Sequence, residues 1–277
     1  MRTYLKLALS LVAMFFLGRP AAGQGIVNPA ITGNLVTAQI QLPGNIGADL
    51  TLSFSQVGGL DLATLGLSAE LVDPSSPSLI GRLPAGSLVS ISTGFPVRVC
   101  VRPVTSGTLA FRGTYVLALH TENLAYMPRT PLRLFHANDG GMFKDISDGM
   151  GAGSYRVRGT GGSFSEFLIT ADLRSVDAVI LQKFDDLQSC LDSNAGAISA
   201  SVLSSLRGLL LQARTANTAG DPIGAAQNIQ TFLDLVGQHS GTGIPDLWSV
   251  GDPAVNVAGE LRSRGSTLVF SLNLKSS

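Results

Sequence analysis

The hydrophobic period of the chain changes near Ser175. From Leu35 to Ala171 apolar and polar residues alternate in short runs broken by Gly and Pro. Beyond Ser175 apolar residues recur every three or four positions. Side chains alternate faces along a strand and return after about 3.6 residues along a helix. The change therefore predicts an α+β chain of segregated modules. The first, residues 24–174, is expected to be an antiparallel β-sandwich, Ig-like in the broad sense. The second, residues 175–277, is expected to be a small antiparallel α-helical module.

Strands are expected at Leu35–Leu42 and Ala48–Ser55, joined by the turn Pro43-Gly44-Asn45. Others follow at Leu65–Val72, Val89–Ser92, Phe95–Val101, Tyr115–Thr121, Leu132–His136, Tyr155–Val157 and Phe164–Ala171. Residues 24–34 read as a loose leader. Helical stripes run through Val176, Ile180, Phe184, Leu187 and Leu191, then through Val202, Leu206, Leu210 and Ala213. A third carries Ile223, Ala226, Ile229, Phe232 and Val236. Ser199 and Asp221 stand where N-caps are needed, with Pro222 at a first helical position. The last segment suits helix through Arg264; residues 265–277 fit helix or strand.

At the N-terminus Arg2 and Lys6 precede the uncharged apolar run Leu7–Leu17, and Pro20-Ala21-Ala22-Gly23 follows. A basic start, a short apolar stretch and a small-residue exit describe a secretory signal peptide over residues 1–23. The run is too short for a membrane span, which needs about 20 residues. Its loss would remove Arg2, Lys6 and Arg19 and no acid, turning a neutral chain into one of net charge −3. No basic stripe remains, which argues against nucleic acid as a partner. The expected destination is the periplasm or the outside of the cell. There, two cysteines, Cys100 and Cys190, are candidates for one disulfide. It would close a loop of about 90 residues and contribute roughly 4–5 kcal/mol. Two unpaired thiols are the alternative.

Leu134-Phe135-His136-Ala137-Asn138-Asp139-Gly140-Gly141-Met142-Phe143-Lys144-Asp145-Ile146-Ser147, running into Ser163-Phe164-Ser165-Glu166-Phe167-Leu168-Ile169, resembles the closing strands of ZU5-like β-sandwich modules of secreted bacterial proteins. Ala225-Ala226-Gln227-Asn228, Phe232 and Val236 loosely resemble the FIMAH-type helical module of bacterial surface proteins. Leu117–Thr121, Ser154–Gly159 and Asn256–Leu261 look like a family of uncharacterised exported proteins of Gram-negative bacteria. That likeness covers most of the chain beyond the leader. It implies architecture and export, and it carries no catalytic motif.

Chemistry-bearing residues are sparse. His120, His136 and His239 are the histidines, and nothing in their spacing joins them to a nucleophile. There is no Gly-x-Ser-x-Gly elbow. Asp139, Asp145 and Asp148 lie in Gly-rich turns and are the calcium candidates, although the order of an EF-hand loop is missing. Glu122 and Glu166 are the carboxylates that a glycosidase would have to pair. Asp185 and Asp186 read as a solvated helix face. Gly159-Thr160-Gly161-Gly162 precedes a strand rather than a helix, so it reads as a hairpin loop and not as a phosphate cradle. Trp248 is the only Trp that could stack on a sugar. The expected function is therefore non-enzymatic: an exported interaction or structural module without cofactor, whose partner is a protein or envelope component. The alternative is an extracytoplasmic glycan- or calcium-binding module.

Overall fold

The computed structural model describes residues 25–85, 87–151, 153–252 and 255–276. The expected signal peptide lies outside them. In chain order the first strands are β1 (Ile26–Thr32), β2 (Leu35–Leu42) and β3 (Ile46–Gly58). The one-turn helix α1 (Leu62–Leu65), β4 (Leu67–Leu71) and the one-turn helix α2 (Pro77–Ile80) follow. Next come β5 (Val89–Ile91), β6 (Val97–Val101), β7 (Ala110–Ala125), β8 (Leu132–Ala137) and β9 (Lys144–Asp145). The strands β10 (Ser147–Gly151), β11 (Ser154–Gly161) and β12 (Glu166–Asp172) end this part. The helices α3 (Val176–Ser193), α4 (Ala200–Thr218) and α5 (Pro222–His239) succeed them, then β13 (Leu247–Ser249) and α6 (Val257–Ser276).

Every strand pairing is antiparallel. One sheet has seven strands in the order β1-β2-β3-β7-β11-β10, with β13 also against β7. The other has six, β4-β6-β12-β8-β9, with β5 also against β12. Period-two apolar residues from both sheets meet in one core, including Val36, Leu50 and Leu117 of the first and Val99, Leu134 and Phe167 of the second. The outer face of the six-stranded sheet is apolar too. Phe135 and Leu168 pack there beneath Leu79, Leu83 and Phe143. The helices form a separate core through Ile180, Phe184, Leu206, Leu210, Ile229, Phe232, Leu261 and Leu268.

Three differences from the sequence reading, and the tail it left open between helix and strand, are settled as follows. Residues 26–32 are a strand, not a loose leader: β1 is an edge strand, and its pairing is irregular between Val27 and Ala30, around Pro29. An edge or a bulge is where a residue without an N–H is tolerated. The segment after the helical hairpin returns to the sheets, since β13 pairs with Ala110–Arg112 of β7. The tail is helix to Ser276. Ser175 and Asp221 cap α3 and α5 through side-chain bonds to Ala178 and Gly224, whereas Ser199 makes no such bond at α4.

The expected disulfide is absent: Cys100 and Cys190 are both free and buried. Cys100 stands on β6 opposite Ser68 and Glu166, while Cys190 lies in the last turn of α3 beside the Asn194 side chain. Burial pushes both thiols up, which keeps them protonated and inert.

Candidate functional site

The helix α6 joins the two halves. Its apolar residues Val257, Leu261, Leu268 and Leu272 enter the helical core. Its small residues Ser263, Thr267 and Ser271, four positions apart, are buried as well. Asn256 fixes the start. Its Oδ1 accepts from the Gly259 N–H at 2.8 Å, while its amide donates to the carbonyls of Gly113 at 2.7 Å and Gly162 at 3.2 Å. The approach is so close that a Cβ on Gly162 would stand 2.5 Å from the Glu260 nitrogen, and one on Gly259 would stand 2.4 Å from the Gly113 oxygen. The Gly-rich run therefore serves packing: it lets a helix terminus rest on the β11–β12 loop.

Along this seam lies a cavity of about 250 Å³ lined by His136, Asn138, Lys144, Asp145, Ser163, Lys183, Asp186, Glu260 and Arg264, among others. Its charges come in pairs. Lys183 is 5% exposed and Asp145 8%. Lys183 Nζ donates to Asp145 Oδ2 at 2.6 Å, and to Thr267 Oγ1 at 2.6 Å and Ser271 Oγ at 2.8 Å. Burial pushes this ammonium below its ordinary range against the pull of Asp145. Lys144 Nζ reaches Asp186 Oδ1 at 2.8 Å. Glu260 pairs with Arg264 one turn on and accepts from Ser163 Oγ at 2.6 Å. Burial alone would raise the Glu260 carboxyl, but Arg264 and Ser163 hold it below its usual value.

Two polar atoms of the seam, His136 Nε2 and Arg264 Nε, are sealed from solvent and have no protein partner. Burial lowers His136 to about 4, so the imidazole is neutral at pH 7. Three cations and three anions then leave the cavity with no net charge. It continues into a groove of about 500 Å³ that shares Asn138, Lys144, Ser163, Asp186, Glu260 and Arg264, with Trp248 on its wall. Trp248 stacks on Phe111 at 5.2 Å and meets the Phe164 edge at 5.2 Å.

A second cluster lies on the outer face of the seven-stranded sheet. His120 Nδ1 is 3.3 Å from Asp49 Oδ2, and its Nε2 is 2.6 Å from Ser154 Oγ. Asp49 and His120 are directly opposed on β3 and β7. Nothing in the sequence spacing of Asp49, His120 and Ser154 marks this contact. Cross-strand distance, not sequence spacing, brings the three together.

The other candidates disperse. Asp139 pairs with Arg102, Asp145 with Lys183, and Asp148 with Arg158 and Thr160. The three calcium candidates share no centre, and among the described residues no cluster of three His, Cys, Asp or Glu could hold a metal. Glu166, 2% exposed, is clasped by Arg82, Arg98 and Arg102, whereas Glu122 is exposed near the end of β7 in the other sheet. Asp185 pairs with Arg214, as a solvated face should, but Asp186 turns into the seam. His239 sits in the last turn of α5. The seam residues were not legible as a site because they come from four separate stretches of the sequence, 136–146, 161–163, 183–186 and 260–267.

The profile of a family of unknown function, DUF6689, matches residues 11–275. The chain belongs to this family. The DUF6689 match spans both halves and the seam between them. It names neither a ZU5-like nor a FIMAH-type module. No curated protein matches the chain. No helix of the described residues of this DUF6689 protein is long and apolar enough to cross a membrane.

Proposed function

We propose that this DUF6689 protein is an exported interaction module of the envelope or extracellular space that acts by binding at its seam. The leader residues Arg2, Lys6 and Leu7–Leu17 support export. In this reading the two sheets are an Ig-like sandwich in the broad sense, and the helices are a module docked across its edge by α6. The observation that carries the binding role is a cavity of polar side chains that opens into a groove walled by Trp248. The charge balance selects the ligand: an ion would find its counter-charge already taken, whereas hydroxyl groups can both donate and accept. A neutral, hydroxyl-rich ligand fits, and Trp248 offers a ring for a sugar to lie against. A glycan chain end is the class that meets both conditions.

Residues 24–277 passed over a glycan array and used as bait against envelope and culture fractions test the reading. Retention of a neutral glycan, abolished by Trp248→Ala or Arg264→Ala, is expected. No retention and no stoichiometric partner would remove it. Calorimetric titration with calcium is expected to show no heat, since Asp139, Asp145 and Asp148 face different cations.

A further inference from the structure

We propose that the outer face of the seven-stranded sheet carries an acyl-transfer site, with Ser154 as nucleophile, His120 as its base and Asp49 as the positioning residue. This goes beyond the binding role of the seam and rests on different residues. The relay is complete in the sense chemistry requires. A serine hydroxyl needs an adjacent base to react at neutral pH, and the base needs a third group to fix its tautomer. Nδ1–H donating to Asp49 at 3.3 Å leaves Nε2 to accept from Ser154 at 2.6 Å. The register of β11 against β7 breaks between Ser154 and Tyr155, and such irregularities re-aim side chains.

The surroundings suit a small ester. Asp49 and His120 border a hollow of about 360 Å³ with Ala118 and Met150 in its lining, and Ser154 adjoins it through His120 rather than standing in that lining. Arg156 and Arg158 line the same hollow. Arg156 is directly opposite His120 on β11. Its guanidinium also lies beside Gly153, the residue before Ser154: a Cβ on that glycine would be 3.5 Å from Nη1. A cation beside the residue that precedes Ser154 is placed to offset charge where a carbonyl oxygen becomes negative. The step is balanced. Ser154 Oγ bonds to the carbonyl carbon while its proton passes to His120 Nε2. The bond from that carbon to the alkoxy or aryloxy group breaks, and the proton leaves on that oxygen. Water then releases the acid from the acyl-serine by the reverse relay. The substrate class is a short-chain carboxylic ester.

The test is labelling of residues 24–277 with a fluorophosphonate, read by intact mass and peptide mapping, beside turnover of p-nitrophenyl butyrate. One adduct on Ser154 is expected, absent in Ser154→Ala and slowed at least about 100-fold in His120→Gln. Asp49→Asn is expected to slow labelling and Asp49→Glu to restore it in part, because a carboxylate can only accept and so holds the Nδ1–H tautomer. All three side chains are on a sheet surface, and unchanged circular dichroism and thermal midpoint would show that the variants fold. No adduct on Ser154, or equal labelling in His120→Gln, overturns the proposal. Neither result touches glycan retention at the seam.

Discussion

Lys183 is the residue on which the seam depends most. It is the base of a pair that is almost fully desolvated, and removing one partner of such a pair strands the other. Lys183→Ala is expected to cost about 3–5 kcal/mol in urea denaturation. A loss under about 1 kcal/mol would show that water reaches Asp145. Replacing both charges, as Lys183→Met with Asp145→Asn, should cost less than the two single changes summed. His136 offers the pH counterpart, with Glu260 and Arg264 the charged groups acting on it. Its folded value, about 4, lies below the ordinary 6.5. Between those values the unfolded chain binds more protons. The contribution is therefore complete above pH 6.5 and disappears as pH falls to about 4, roughly 3 kcal/mol in all. His136→Phe is expected to lose correspondingly less stability than the natural chain between pH 7 and 4.5. Equal losses would refute the assignment. None of this was visible in the sequence, where His136 is one more polar residue at a strand end, because its partners lie on α6 more than a hundred positions away.

At the scale of elements, period decided most of the outcome. β2, β3, β7 and the stripes of α3 to α5 were legible, since each matches a buried face, apart from Ile223 at the start of α5, which is exposed. The elements that escaped have no period to show. β10, Ser-Asp-Gly-Met-Gly, has no alternating apolar set, and β13 is only Leu-Trp-Ser. The tail was ambiguous for a related reason: α6 is buried on its Ser/Thr side as well as its Leu side, so no polar face remains to mark it. Its contact with the β11–β12 loop predicts a contrast between glycines. Gly162→Ala drives a methyl into backbone and should cost about 1–3 kcal/mol or more. Gly208→Ala, in the middle of α4 with open space around it, should instead stabilise by about 0.5–1 kcal/mol. Thermal unfolding of the two variants checks both signs, and similar shifts would disprove the contact.

For the molecule as a whole, the halves are held by packing and hydrogen bonds rather than by a covalent tie. With both thiols buried and free, a thiol reagent is expected to find no reactive cysteine in the native protein and two after denaturation, with or without prior reductant. A need for reductant would mean a disulfide after all. That the chain is α+β followed from the change of period at Ser175, but the way the halves interlock did not. β13 crosses back to extend β7, and α6 closes over the joint, so the boundary at residue 174 divides the sequence more cleanly than it divides the structure. That interlock places Trp248, the single tryptophan of the chain, against Phe111 and Phe164 with its remaining surface toward the groove. The protein thus carries its one tryptophan fluorophore at its joint. Its emission should shift to the red when the helices lift from the sheets, and should respond to an occupant of the groove before anything else in the molecule has moved.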